Sequence, residues 1–233
     1  RNSWGDMELG GRLFDDMFFQ WFLDENPAAL DAVRADGSEY FVHSYLCREV
    51  KEYFSRQMTR DRSESLNKMV GHYGRMRGMT WTKFVGRARS YVPSKTFRDY
   101  QESVDALGER LRNASTDEPI DLIEWFRTAL FDGIREEEVD KSDIRWVILA
   151  GGSSQWPFVA EIVGRDLSVD SNHIMRSDRP YAAISEGLST VPALKRRLKA
   201  ARDKVDSELP GFLKDTVRPL VREKTEQIVK RIT

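Results

Sequence analysis

Val147-Ile148-Leu149-Ala150-Gly151-Gly152-Ser153-Ser154-Gln155-Trp156-Pro157 places an apolar run, a glycine pair and the start of a helix in immediate succession. The run from Arg145 to Ala150 is short, continuously apolar and β-rich, which predicts a strand buried on both faces. Gly151 and Gly152 carry no β-carbon, so the backbone can turn sharply and a planar ring or a phosphate can approach the main chain. A helix over about Pro157 to Asp166 would aim its first N–H groups and its positive dipole end back at that turn. In an open α/β sheet the carboxyl end of a strand is also where ligand crevices lie.

Outward from this segment the chain reads as α/β. Leu13, Phe14, Met17, Phe18, Trp21 and Phe22 fall at helical spacing and stop before Asn26-Pro27, predicting a buried helix. A second helix is expected over Glu39 to Arg56, capped by Ser38. Residues 59–89 hold four glycines and no clean period, so short strands or irregular structure are expected there. Amphipathic helices are expected over Ser94 to Asn113 and Asp121 to Glu138, a short strand within Ser168 to Met175, and a helix over Arg179 to Thr190. Beyond Val191 the apolar residues recur every three or four positions, predicting helices separated at Pro210-Gly211, with Pro219 opening or kinking another.

The 233 residues are 40% apolar, enough for one sizeable core or two small ones. Their 37 basic and 38 acidic side chains nearly cancel, so overall charge makes no case for a nucleic-acid partner. Charge is unevenly placed: Val191 to Thr233 is near +6 and the remainder near −7. The basic cluster Lys195-Arg196-Arg197-Leu198-Lys199 suits an acidic partner or anionic lipid, or is simply a solvated face. No apolar run is long enough to cross a bilayer. A single cysteine, Cys47, fits a reducing compartment, and a cytoplasmic location is expected. His43, His72 and His173 lack metal-ligand spacing. Asp15, Asp16 and Asp24 read as a solvated helix face rather than a metal site, and no catalytic residue is assignable. The start at Arg1, directly before a glycine motif, suggests a piece of a longer polypeptide.

Ile148 to Val163, ILAGGSSQWPFVAEIV, resembles the adenosine-binding segment of the seventy-kilodalton heat-shock chaperones, in which a hydrophobic strand enters Gly-Gly-Ser-Thr and a proline-led helix. Gly5 to Phe22, GDMELGGRLFDDMFFQWF, is similar to that family's glycine pair and acidic-aromatic helix near the terminal phosphate. Cys47 to Ser55, CREVKEYFS, resembles the helix that presents an acid, a lysine, an arginine and a serine to the adenosine. Lys141 to Ile144 and PYAAISEG, residues 180–187, also follow the family's order. The resemblance implies one lobe of an actin-like (ribonuclease-H-like) ATPase fold over residues 1–190. It also implies a helical insertion subdomain over roughly residues 39–115 and, at 191–233, an appended basic helical tail.

On this resemblance ATP or ADP is the ligand, with Gly151, Gly152, Ser153, Gln155, Lys51 and Ser55 at the adenosine and Gly10 and Gly11 approaching the phosphates. Magnesium would be held mainly by an N-terminal lobe lying upstream, the expected partner of this one, while the tail would engage a protein client or partner. Three departures bear on the pocket: Arg48 stands where the family has an acid, Glu52 where it has an arginine, and Gln155 where it has the arginine that stacks on the base. Two functions follow, a chaperone-type ATPase and an interaction module that has lost tight nucleotide binding.

Overall fold

The computed structural model describes residues 4–177, 179 and 182–232, which form two compact units divided after Tyr181. The first is mixed α/β and mostly helical. It opens with α1 (Gly11–Glu25), whose apolar residues lie at three- and four-residue intervals and are almost all buried. α2 (Ala29–Ala35) follows, then α3 (Glu39–Phe41), a π-helical stretch at Val42–Leu46 and α4 (Cys47–Arg60). The expected second helix thus exists, but a wide turn interrupts it, and Ser38 makes no side-chain cap.

Residues 59–89 complete α4 and then form an antiparallel hairpin, β1 (Leu66–Val70) and β2 (Gly74–Met79), followed by α5 (Trp81–Arg89). The Ser94–Asn113 stretch is two helices, α6 (Lys95–Val104) and α7 (Glu109–Asn113). The chain is extended at Asp105 between them, and Ser94 caps α6 by accepting from the Phe97 N–H. α8 (Leu122–Glu136) is capped by Asp121, which accepts from the N–H groups of Ile123 and Glu124.

β3 (Val147–Leu149) pairs in parallel with β4 (Ile174–Arg176), and α9 (Pro157–Asp166) lies between them in sequence. The expectation of a strand buried on both faces is wrong. Among the described residues β3 has only β4 beside it, and Ile148 is 72% exposed while Leu149 is buried. One core joins α1, α4, the hairpin, α5, α8 and α9, so residues 39–115 contribute to the same interior as the segments on either side.

The second unit is helical throughout its described residues. α10 (Ala183–Phe212) carries Pro192 and Pro210 in its interior, a π-helical stretch spans Leu213–Val217, and α11 (Arg218–Ile232) ends it. The expected break at Pro210-Gly211 does not occur: the helix runs through both residues and only then widens into the π-helical stretch. The start of the expected Arg179–Thr190 helix lies partly outside the described residues. No helix among the described residues is long and apolar enough to cross a membrane.

Candidate functional site

Three segments far apart in sequence meet at one cleft of about 580 Å3. The start of α1 supplies Gly11, Arg12 and Asp15, α4 supplies Arg48, Lys51, Glu52, Ser55 and Arg56, and the turn before α9 supplies Gly152, Ser153, Gln155 and Trp156. The four-residue spacing of Gly11 and Asp15, and of Lys51 and Ser55, sets each pair on one helix face, and the two faces oppose each other. Of the residues expected at a ligand, Gly11, Lys51, Ser55, Gly152, Ser153 and Gln155 share this cleft. Gly10 instead precedes α1 and lines a separate, mainly apolar cavity with Phe14, Phe126 and Leu149. Gly151 lines neither and forms the bend itself, with φ +86° and ψ 158°, a conformation essentially reserved for glycine.

The turn is fixed from below by Trp156. Its ring stacks on Phe84 at 4.5 Å between centroids, and Phe14, Phe18, Phe54 and Phe158 surround it. From the side, the Thr59 hydroxyl lies 2.5 Å from the Gln155 carbonyl and 2.8 Å from the Ser55 carbonyl, and either can accept its proton. Arg62 of the following loop pairs with Glu161 of α9. The segment carrying Gly152 to Gln155 is therefore held against α4 by packing and polar ties. An added β-carbon at Gly152 would meet nothing within 4 Å, so its position is open toward the cleft.

The cleft holds four cationic side chains, Arg12, Arg48, Lys51 and Arg56, against two carboxylates, Asp15 and Glu52. Lys51 Nζ lies 2.6 Å from Asp15 Oδ1 and donates to the Gly11 carbonyl at 3.2 Å, with side-chain exposures of 12% for Lys51 and 9% for Asp15. The pair lacks hydrogen-bond alignment at Oδ1. Burial pushes the Asp15 carboxyl above the ordinary carboxylate range, and the Lys51 charge opposes that rise. Arg48 and Glu52 form a more exposed pair at 2.9 Å. Arg12 reaches over the Tyr100 ring at 5.9 Å, and Arg56 donates to the Glu52 carbonyl. Two cations thus remain uncompensated by carboxylates of the cleft, which suits an anion.

The acidic trio corrects the expectation of a solvated face. Only Asp24 is exposed, paired with Arg87 at 2.7 Å. Asp16 is fully buried and is a structural hub, contacting His43 Nε2 at 2.9 Å and accepting from Gln20, Tyr91, and both the N–H and hydroxyl of Ser94. Burial, then the Asp16 charge, pushes the Tyr91 hydroxyl well up, so it stays a donor. Burial likewise pushes up the Cys47 thiol, leaving it inert at neutral pH. No group of acidic, histidine or cysteine side chains able to hold a metal occurs among the described residues. Arg12, Arg56 and Trp156 carry no sequence signal that assigns them to a site, and Asp15 reads from sequence as part of a solvated face, although its one-turn spacing from Gly11 is visible there.

No protein-family model, curated protein or solved structure matches the chain.

Proposed function

We propose that the cleft between α1, α4 and the Gly151–Gln155 turn receives the adenosine part of ATP or ADP, as one lobe of an actin-like, chaperone-type ATPase. The observation that carries this is the convergence of Gly11, Lys51, Ser55, Gly152, Ser153 and Gln155 on one cleft of about 580 Å3, a volume in the range of small-molecule sites. On this reading the ring lies over the open Gly152 backbone and Gln155 hydrogen-bonds its edge. Ser55 and Lys51 meet the ribose, and Arg12 and Arg56 draw the phosphates by charge. Magnesium would arrive with the phosphates, because both carboxylates of the cleft are committed to cations. Hydrolysis would need groups beyond those named, so the role of this chain is binding and orientation.

The ion pairs Lys51–Asp15 and Arg48–Glu52 favour a second reading, an interaction module whose pocket is closed on itself. Calorimetric titration of the chain with magnesium and ADP separates the two. The first reading expects saturable binding that Gly152→Val abolishes while the near-ultraviolet circular dichroism is unchanged, since a β-carbon added there meets no protein atom within 4 Å. No saturable heat with the parent chain, or equal binding by the variant, would overturn it.

A further inference from the structure

In α10, Val191, Leu198, Val205 and Phe212 recur every seven residues, and Leu194 and Ala201 fall three positions after the first two. Seven-residue spacing of this kind makes a narrow apolar seam along one helix face, with valine, leucine, valine and phenylalanine at its a positions and Leu194, Ala201 and then Glu208 at d, the spacing of helix pairing. The seam is bare: Leu194, Leu198, Val205 and Phe212 are each more than half exposed, and α10 has no buried residue among those described. Pro192 and Pro210 both fall at positions off the seam, so neither interrupts it.

What flanks the seam decides its partner. In the first two heptads the e positions hold Lys195 and Arg202 and the g positions Arg197 and Lys204, all four cationic, while Leu209 and Gly211 follow at e and g in the third. Arg202 lies 3.8 Å from Asp206 and Lys204 3.9 Å from Glu208, long contacts between exposed groups that leave these cations available. A second copy of this chain is disfavoured. Parallel pairing would set Arg197 against Arg202, and antiparallel pairing would set e against e and g against g, again cation against cation. We propose that α10 pairs with an amphipathic helix of another protein that carries glutamate or aspartate beside its own apolar seam. This inference does not depend on the cleft.

The test titrates the full chain with two synthetic peptides of about four heptads, both with valine at a and leucine at d, one with glutamate at e and g and the other with lysine. The proposal expects the glutamate peptide to bind saturably, more weakly as salt rises, and at least about tenfold more tightly than the lysine peptide. The quadruple variant Lys195→Glu, Arg197→Glu, Arg202→Glu, Lys204→Glu should reverse that preference. Because all four side chains are exposed, the first unit's tryptophan fluorescence should not change. Equal binding of both peptides, or binding of neither, would overturn the proposal. So would a dimer of the chain alone in low salt that Leu198→Asp dissolves, or co-sedimentation with phosphatidylserine vesicles without binding of the glutamate peptide.

Discussion

Replacing Lys51 with methionine keeps most of the side-chain volume and leaves Asp15 buried without its cation. Breaking a buried ion pair from one side costs about 3–5 kcal/mol when the remaining charge has no escape. Asp15 has one, since it can take up a proton. From its ordinary value of 3.8, holding a proton to pH 7 costs about 1.36 kcal/mol per pH unit, a ceiling of about 4 kcal/mol. Residual access to water lowers this, so the expected loss at pH 7 is about 2–4 kcal/mol. The folded-state pKa lies above the unfolded one, so the folded chain holds the proton more tightly. Stability therefore falls as pH rises from 3.8 through the folded value, and more steeply in the variant than in the parent. Urea unfolding followed by tryptophan fluorescence at several pH values between 4 and 7.5 measures this. The gap between the two proteins should widen with pH, and adding Asp15→Asn to Lys51→Met should recover most of the loss at pH 7. A gap independent of pH would refute the reasoning.

Trp156→Ala removes the ring that stacks on Phe84 and bears on four other aromatic rings, and should cost about 3–5 kcal/mol, read as a lowered melting temperature by calorimetry. Gly151→Ala adds a methyl that meets no atom, so its cost is backbone strain alone, about 1–3 kcal/mol at φ +86°, measured by urea midpoint. Asp166, held down to about 2 by Arg165 and Arg127, stabilises the fold fully above pH 4 and loses that contribution as pH falls through about 2. Asp166→Asn should therefore flatten the stability profile between pH 4 and pH 2.

The helices read best from sequence where apolar spacing and punctuation agreed: α9 starts at Pro157 and ends at Asp166, and α1 stops just before Asn26-Pro27. Short strands were expected over residues 59–89 but the hairpin's bounds were not legible, because Lys68 stands exposed between the buried Leu66 and Val70 of β1 and a register shift opposite it leaves the buried Met76 and Met79 of β2 three positions apart. β3 misled because an apolar run does not reveal how many strands flank it. The cleft was legible through its glycines and the Lys51–Ser55 face. Asp15 and Asp16 were not, since, Gln20 apart, the groups that satisfy them come from α4, His43, Tyr91 and Ser94, all distant in sequence. A carboxylate's fate is set by partners that only tertiary structure supplies.

The tie between Thr59 and Gln155 spans 96 positions, and it has a temporal meaning. During synthesis, α1 and α4 emerge long before the glycine turn, so the cleft has two walls and no third until Trp156 leaves the ribosome. Closing so long a loop is slow relative to local helix formation. Until it closes, Phe14, Phe54 and Phe84 lack the tryptophan that caps them. The nascent chain thus carries an uncovered aromatic face until Trp156 is made, the interval in which it is most open to association with other chains or capture by a folding factor.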